Sequence, residues 1–469
     1  MAVSDEVVAD PTGPPRRRLH RSLKVLGTIL ITLSAITPAS SVFIIVPGVV
    51  GSAGTGALWS LIAAGVVGIF MAFVYAELSS AYPLAGGEYS IVGRTLGRMP
   101  GFLVMGLMLV TQVLIIAVIA LGVGTYLSVV IDGLHPPTIA AVTCLVAVLV
   151  GVLDIKLNAV VTGVFLAIEM LALVILAGLG FLNVERPIGE LLADPVVAGD
   201  SGALVPASVG LIAAATAVAI FAYNGYGSAV YFGEETRDAR RNIARAILWA
   251  LGITVTAELV PLLAVLLGAP SLEGLFAAEN MMGYFVTEVG GSGLNTALSL
   301  GVVVAIVNAV IAILLISARM MFSTGRDKAW PASISRGLSS IHPRFGTPWI
   351  ATIVTGIAAA AVCFVDFQTL LVVTGTSLVV VYGALAVAVM AGRRNGSTRH
   401  GTYRMPLFPL PPLVALAALG YVVYQNATDA EIGRPSLLVT LGVLAVSGVY
   451  YLAVLRRRGR WELQGELEQ

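Results

Sequence analysis

Two short stretches of this 469-residue chain interrupt apolar runs with residues that free backbone polar groups. The first is 34–41 (SAITPASS), where Pro38 removes a backbone donor and clashes with the turn before it. The second is 221–227 (FAYNGYG), where Gly225 and Gly227 beside Asn224 favour unwinding. A half-helix that begins after Pro38 would offer the N–H groups of Ala39, Ser40 and Ser41 at its positive end, a setting suited to a carboxylate. The hydroxyls of Thr37, Ser40 and Ser41 can add to that cradle, or they can bond locally to helix carbonyls. Freed carbonyls near Phe221, Ala222 and Asn224 can accept from an ammonium group. The rings of Phe221, Tyr223 and Tyr226 can attract the same cation through their faces, or they can simply pack.

Further polar residues inside apolar runs could carry chemistry. Glu169 falls about twelve residues, roughly 18 Å, into its run. A bare carboxylate at that depth is costly, so the group should be protonated or paired. A carboxyl that takes a proton on one side and loses it on the other can couple proton flow to another event; a permanently neutral, hydrogen-bonded carboxyl is the competing role. Glu258, followed by Pro261, can share that work, gate, or pack. Gln112 and Asn308 can line a pocket or bridge helices. Glu77 falls near the end of its run, which suits an interfacial structural role.

The elements that must hold these residues are long apolar helices. The chain is 58% hydrophobic and only 11% charged, with a mean hydropathy of +0.94, whereas soluble domains carry about a quarter charged residues. A spanning helix needs about 20 apolar residues to cross a core of roughly 30 Å. Twelve segments qualify, near residues 23–47, 56–80, 100–130, 138–153, 157–183, 206–232, 243–268, 295–319, 347–365, 369–391, 407–425 and 436–455. With the N-terminus inside, 25 of the 27 Lys and Arg fall in cytoplasmic segments, and only Arg186 and Arg434 fall outside. The inside set includes Arg16, Arg17, Arg18 and Arg21 near the start and Arg460 near the end. Acids such as Asp132, Glu185, Asp200 and Glu288 mark the outer loops. The two interruptions lie in segments 1 and 6, which run in opposite directions. Matched breaks in two halves of opposite topology point to an inverted repeat with a binding site between them.

Several function classes are disfavoured. The four histidines, His20, His135, His342 and His400, lie in tails or loops, and no HExxH pair or nucleophile–histidine arrangement is present. No phosphate-binding Gly-rich loop precedes a lysine, which argues against ATP-driven pumping. Basic residues follow topology and form no nucleic-acid-binding stripe. Cys144 and Cys363, far apart in sequence, read as small core residues. No cofactor or metal is expected. The paired broken helices argue for a closed central site over a channel's open pore, and a non-transporting sensor remains as the other class. The excess of Arg over Lys hints at a GC-rich bacterial genome.

Three stretches carry a family likeness: residues 75–89 (YAELSSAYPLAGGEY), 221–243 (FAYNGYGSAVYFGEETRDARRNI) and 319–331 (RMMFSTGRDKAWP), the last continued by 342–348 (HPRFGTP). With the helix count, they resemble the amino acid permeases of the amino acid–polyamine–organocation (APC) superfamily over nearly the whole chain. The resemblance implies an all-α membrane protein of 12 transmembrane helices in a leucine-transporter-type 5+5 inverted repeat with two extra C-terminal helices. On this chain the repeats would be 23–183 and 206–391, followed by 407–456, with polar cytoplasmic tails at 1–22 and 457–469. It implies alternating access, sodium independence in many members, substrate held at the breaks of segments 1 and 6, and an outer gating role for Phe221. The chain departs from the family at three places. Its first break lacks glycines, Gly227 stands where many members carry an acid, and Glu169 lies where some carry a lysine. The function expected is secondary active transport of an amino acid across the cytoplasmic membrane by proton symport. An amine, polyamine or choline-like cation as substrate, or solute exchange, are the competing readings. Its partners would be that small molecule, protons and the lipid bilayer.

Overall fold

Backbone N–H and C=O groups find no water in a hydrocarbon core, so apolar runs of this length satisfy them internally as helices. The computed structural model describes residues 23–131, 133–153, 155–199, 201–458 and 461–463, and of 155–161 the backbone alone. His20, Arg16, Arg17, Arg18, Arg21, Asp132, Asp200, Arg460 and the ends of both expected tails lie outside the described residues.

The first apolar run begins with α1 (Val25–Ile36), continues through the single turn α2 (Pro38–Ser40) and a π-helical turn at Ser41–Ile45, and ends in α3 (Val46–Ala53). Then follow α4 (Ala57–Ala81), the short α5 (Gly87–Thr95), α6 (Arg98–Leu127), α7 (Pro136–Gly151) and α8 (Ile155–Leu182). The sixth run holds α10 (Val209–Ala222) and a 3-10 stretch at Tyr226–Phe232, preceded by the one-turn helix α9 (Ile188–Ala193). The remainder is α11 (Ala239–Gly268), α12 (Leu272–Ala277), α13 (Met281–Gly290), α14 (Ser292–Arg326), α15 (Ala332–Leu338), α16 (Trp349–Val362), α17 (Phe367–Asn395), α18 (Leu410–Thr428) and α19 (Gly433–Tyr450). The expected outer loop at 184–205 is more ordered than an apolar-run reading implies. Besides α9 it forms a hairpin of β1 (Val196–Ala198) and β2 (Leu204–Pro206), antiparallel with Val197 opposite Val205.

Nine helical stretches among the described residues are long and apolar enough to cross a membrane. Val25–Ala81 is one of these stretches, and α7 and α16 are shorter apolar helices. Large apolar side chains point outward on these helices, among them Leu149, Val174, Trp249, Leu438 and Val446. The chain is a multi-pass membrane protein, and this apolar exterior is the surface that lipid would wet. Inside, α14 packs against α6, α7, α8 and α16, while α11 packs against α4 and α8. Cys144 of α7 and Cys363, just after α16, meet with their sulfurs 3.8 Å apart, both buried free thiols.

One end of the molecule is tied together by ion pairs. Arg319 Nε donates to Glu235 Oε1 at 2.7 Å with both side chains buried, and the Arg319 guanidinium lies 4.9 Å from the Phe232 ring centre. Arg326 pairs with Glu234 at 2.8 Å, and Tyr89 donates to Asp327 at 2.9 Å. Glu77 accepts from Arg393, Arg404 and the Met405 N–H, a structural cluster. Three stretches that are distant in sequence, 75–89, 221–243 and 319–331, are thus one assembly in space. The backbone at Leu23 joins it by exchanging hydrogen bonds with Glu235 and Arg237.

Candidate functional site

The site is built where the two interrupted helices touch. α1 stops at Thr37, whose backbone is left-handed at φ 53°, a costly state for a β-branched residue. Pro38 then opens the next turn, where its missing N–H costs least. α10 stops at Ala222, and Gly225 carries the chain through φ 116° before the 3-10 stretch. A Cβ on Gly225 would lie 3.1 Å from Cα of Ile36, so the glycine lets one break press on the end of the other. A Cβ on Gly227 would lie 2.5 Å from the Tyr75 ring, which needs that space.

A cavity opens beside this junction. Ala35 and Ile36 from the first break and Phe221, Ala222, Asn224 and Gly225 from the second form one wall. Gln112 of α6, Tyr75 of α4 and Tyr382 of α17 face them. The Tyr382 hydroxyl donates to Asn224 Oδ1, which holds that side chain at the cavity edge. The Tyr75 ring stands edge-on to Tyr382 at 5.7 Å and to Tyr226 at 5.9 Å. Tyr226 is therefore packed behind Tyr75 rather than lining the cavity wall.

Glu88 and Tyr231 close one side of the cavity. Glu88 Oε1 accepts from the Tyr75 hydroxyl at 3.0 Å, and Oε2 accepts from the Tyr231 hydroxyl. Glu88, at the start of α5 and outside the long helices, is 3% exposed. Burial pushes its carboxyl above the usual carboxylate range, and the tyrosyl hydroxyls draw it back down. Neither Glu88 nor Tyr382 stands out in the sequence. A glutamate in a Gly-rich stretch reads as solvated, and a lone mid-helix tyrosine reads as packing.

The other side of the first break is a second polar layer, separate from the cavity wall. The Ala39 N–H donates to Glu169 Oε1 at 2.9 Å. The carboxylate cradle expected at Ala39 is thus occupied by a side chain of the protein. Thr37 Oγ1 donates to Ser40 Oγ at 2.7 Å, and the Ser41 N–H closes a turn on the Thr37 carbonyl oxygen. The Ser41 hydroxyl donates to Glu258 Oε2 at 2.9 Å, with the Ala222 carbonyl oxygen 3.2 Å away. Ser41 so ties the first break to both α11 and the end of α10. Glu169, Glu258 and Asn308 are fully buried. Among the described residues, Glu169 Oε2, Glu258 Oε1, both Asn308 side-chain polar atoms and the Tyr223 hydroxyl have no hydrogen-bond partner. Of the residues singled out from sequence, Phe221, Ala222, Asn224, Gly225 and Gln112 meet at the cavity. Thr37, Ala39, Ser40, Ser41, Glu169 and Glu258 meet behind it, and Tyr223 and Asn308 are buried away from the cavity wall.

Comparison with known proteins agrees with this architecture. A family model described as amino acid permease matches residues 23–447. The chain is 23% identical over 432 residues to the methylthioribose transporter of Bacillus subtilis, covering 87% of this chain and 89% of the relative. It is 22% identical over 427 residues to the branched-chain amino acid permease of the same organism, covering 88% and 89%. A third relative there, a serine/threonine exchanger, is 23% identical over 433 residues, covering 90% and 93%. These relatives are transporters. The chain belongs to the amino acid permease family of the APC superfamily.

Proposed function

We propose that this protein is a secondary active transporter that moves an amino acid across the cytoplasmic membrane by alternating access and proton symport. In this reading twelve helices span the bilayer as two inverted five-helix repeats, 23–183 and 206–391, followed by 407–456, with both termini cytoplasmic. The turn at Gly54–Gly56 divides Val25–Ala81 into two passes, and the shorter α7 and α16 complete the count. Distribution of Lys and Arg sets the orientation.

The observation that carries the mechanism is the hydrogen bond from the Ala39 N–H to Glu169. An N–H at the start of a half-helix is the natural partner of a substrate carboxylate. Glu169 competes for it while ionised and releases it on protonation, because a neutral carboxyl is the weaker acceptor. A proton on Glu169 and a substrate carboxylate on Ala39 then favour each other, which is the linkage symport requires. Ser41 and Glu258 form the second arm, since the Ser41 hydroxyl reports the state of Glu258 to the first break. Thr37 and Ser40 shape the turn, and Asn308 and the Tyr223 hydroxyl offer unpartnered polar atoms in the same buried layer. The substrate ammonium meets carbonyls near Phe221 and Ala222 and the side chain of Asn224. Phe221 covers it from outside, with Gly225 and Tyr226 keeping the second break open.

Purified protein in liposomes with a labelled amino-acid mixture tests the reading. Uptake should be concentrative under an inward proton gradient and collapse with a protonophore. Glu169→Gln mimics the neutral carboxyl, so substrate exchange should persist while gradient-driven accumulation is lost. Accumulation that follows the gradient unchanged in Glu169→Gln removes Glu169 from the coupling step. Binding without any flux would favour a sensor.

A further inference from the structure

Every other acid in the buried network at the Glu88 end has an arginine. Glu77 has Arg393 and Arg404, Glu234 has Arg326, Glu235 has Arg319, and Asp327 lies 3.6 Å from Arg326. Glu88 is in no ion pair among the described residues. Its two oxygens face tyrosyl hydroxyls, and it opens on a cavity lined by no Lys, Arg or His. Both tyrosyl hydroxyls can donate to the carboxyl, and such donors favour its ionised form. A buried carboxylate held only by neutral donors retains most of its desolvation cost. That cost is what raises its pKa in the free protein, and a cation beside it removes the penalty. The rings flanking it, Tyr75 and Tyr382, stand at right angles 5.7 Å apart. Aromatic walls with a carboxylate at their base are a cation receptor.

We propose that Glu88 is the specificity-determining acceptor for a positively charged group on the substrate. The transported solute is then a cationic amino acid or amine, its distal ammonium or guanidinium seated between Glu88 and the Tyr75 and Tyr382 rings. The proposal rests on the transport reading above and adds the substrate class to it. A neutral apolar side chain in the same place would leave Glu88 buried and uncompensated, so the site selects against it by the cost of an unpaired charge. Gln112, also in the cavity lining, is neutral and provides no competing charge.

The full-length protein in liposomes decides this with five labelled probes: lysine, arginine, putrescine, leucine and serine. Each is measured for uptake and as an unlabelled competitor. At least one cationic probe should be carried, and leucine and serine should compete at least about tenfold less well. Glu88→Gln keeps the shape and one tyrosine bond but removes the charge. It should lower cationic uptake by about tenfold or more, with Glu88→Asp restoring part of it. Transport of leucine or serine with all three cations excluded overturns the Glu88 assignment and leaves the transport reading standing. Failure of all five probes while the labelled amino-acid mixture is still taken up overturns the assignment alone, and no uptake from the mixture either contradicts both. Undiminished cation uptake in a folded Glu88→Gln also overturns the assignment, and the wild-type competition series decides it alone should that variant not fold.

Discussion

Gly225 sets how closely the two interrupted helices approach. Its φ of 116° lies where a side chain is strained, and the ring of space a Cβ needs is filled by Ile36. Gly225→Ala should therefore cost about 1–3 kcal/mol from backbone strain alone, and should also force the breaks apart. Substrate affinity should fall together with thermal stability. Thr37 accepts similar strain with a side chain in place, because its hydroxyl gains Ser40 as partner. Glu169 and Ser41 show how much a single residue's role depends on what faces it. Each occupies a group that, judged by its own type, is free to meet a ligand.

At the scale of the element, helix ends are fixed by local partners. Asp366 caps α17, accepting from the Thr369 N–H at 2.9 Å and its hydroxyl at 3.0 Å. Those two donors hold its carboxyl below the usual range. The sign follows directly: the folded pKa is depressed, so the cap stabilises above the ordinary value of about 3.9 and its contribution fades as pH falls through the lower folded value. Asp366→Ala should cost about 1 kcal/mol at neutral pH, with the difference from wild type shrinking in acid. Cys144 and Cys363 are buried free thiols, so a thiol-reactive fluorophore reads the unfolding midpoint without an added label. Element ends also separate what is legible from what is not. α6 and α8 start and stop within a few residues of their apolar runs. α14 continues past its apolar run to Arg326, because Arg319, Ser323 and Arg326 find partners in Glu235, Tyr89 and Glu234 that stabilise the extra turns.

At the scale of the whole molecule, the ion-pair assembly joins residues that the chain separates widely. Arg319 and Glu235 are both buried, so removing one partner strands the other. Arg319→Leu should lower stability by about 3–5 kcal/mol. The exposed Arg336 is the control, and Arg336→Leu should change it by less than about 0.5 kcal/mol. Unfolding midpoints of the two purified variants provide the comparison. The same assembly explains why Glu88 escaped notice as a candidate ligand group. In the sequence it is one of two acids in the 75–89 stretch, beside Glu77. Only after Glu77, Glu234, Glu235 and Asp327 are matched with arginines does it stand apart.

Membrane residence and the positions of the two helix interruptions are determined by the sequence itself. Both rest on properties that act over a few neighbouring residues: apolar length, the missing N–H of Pro38, and the unhindered φ of Gly225. The tertiary structure alone decides what those breaks meet. Ala39 finds Glu169 at a separation of 130 residues, and Ser41 finds Glu258 at 217. Such partners are chosen by how whole helices pack, and the cost of a buried polar group left unmatched makes that packing selective. Local preference can open a helix, but only the surrounding helices determine whether the opening faces a carboxyl, a cavity or lipid.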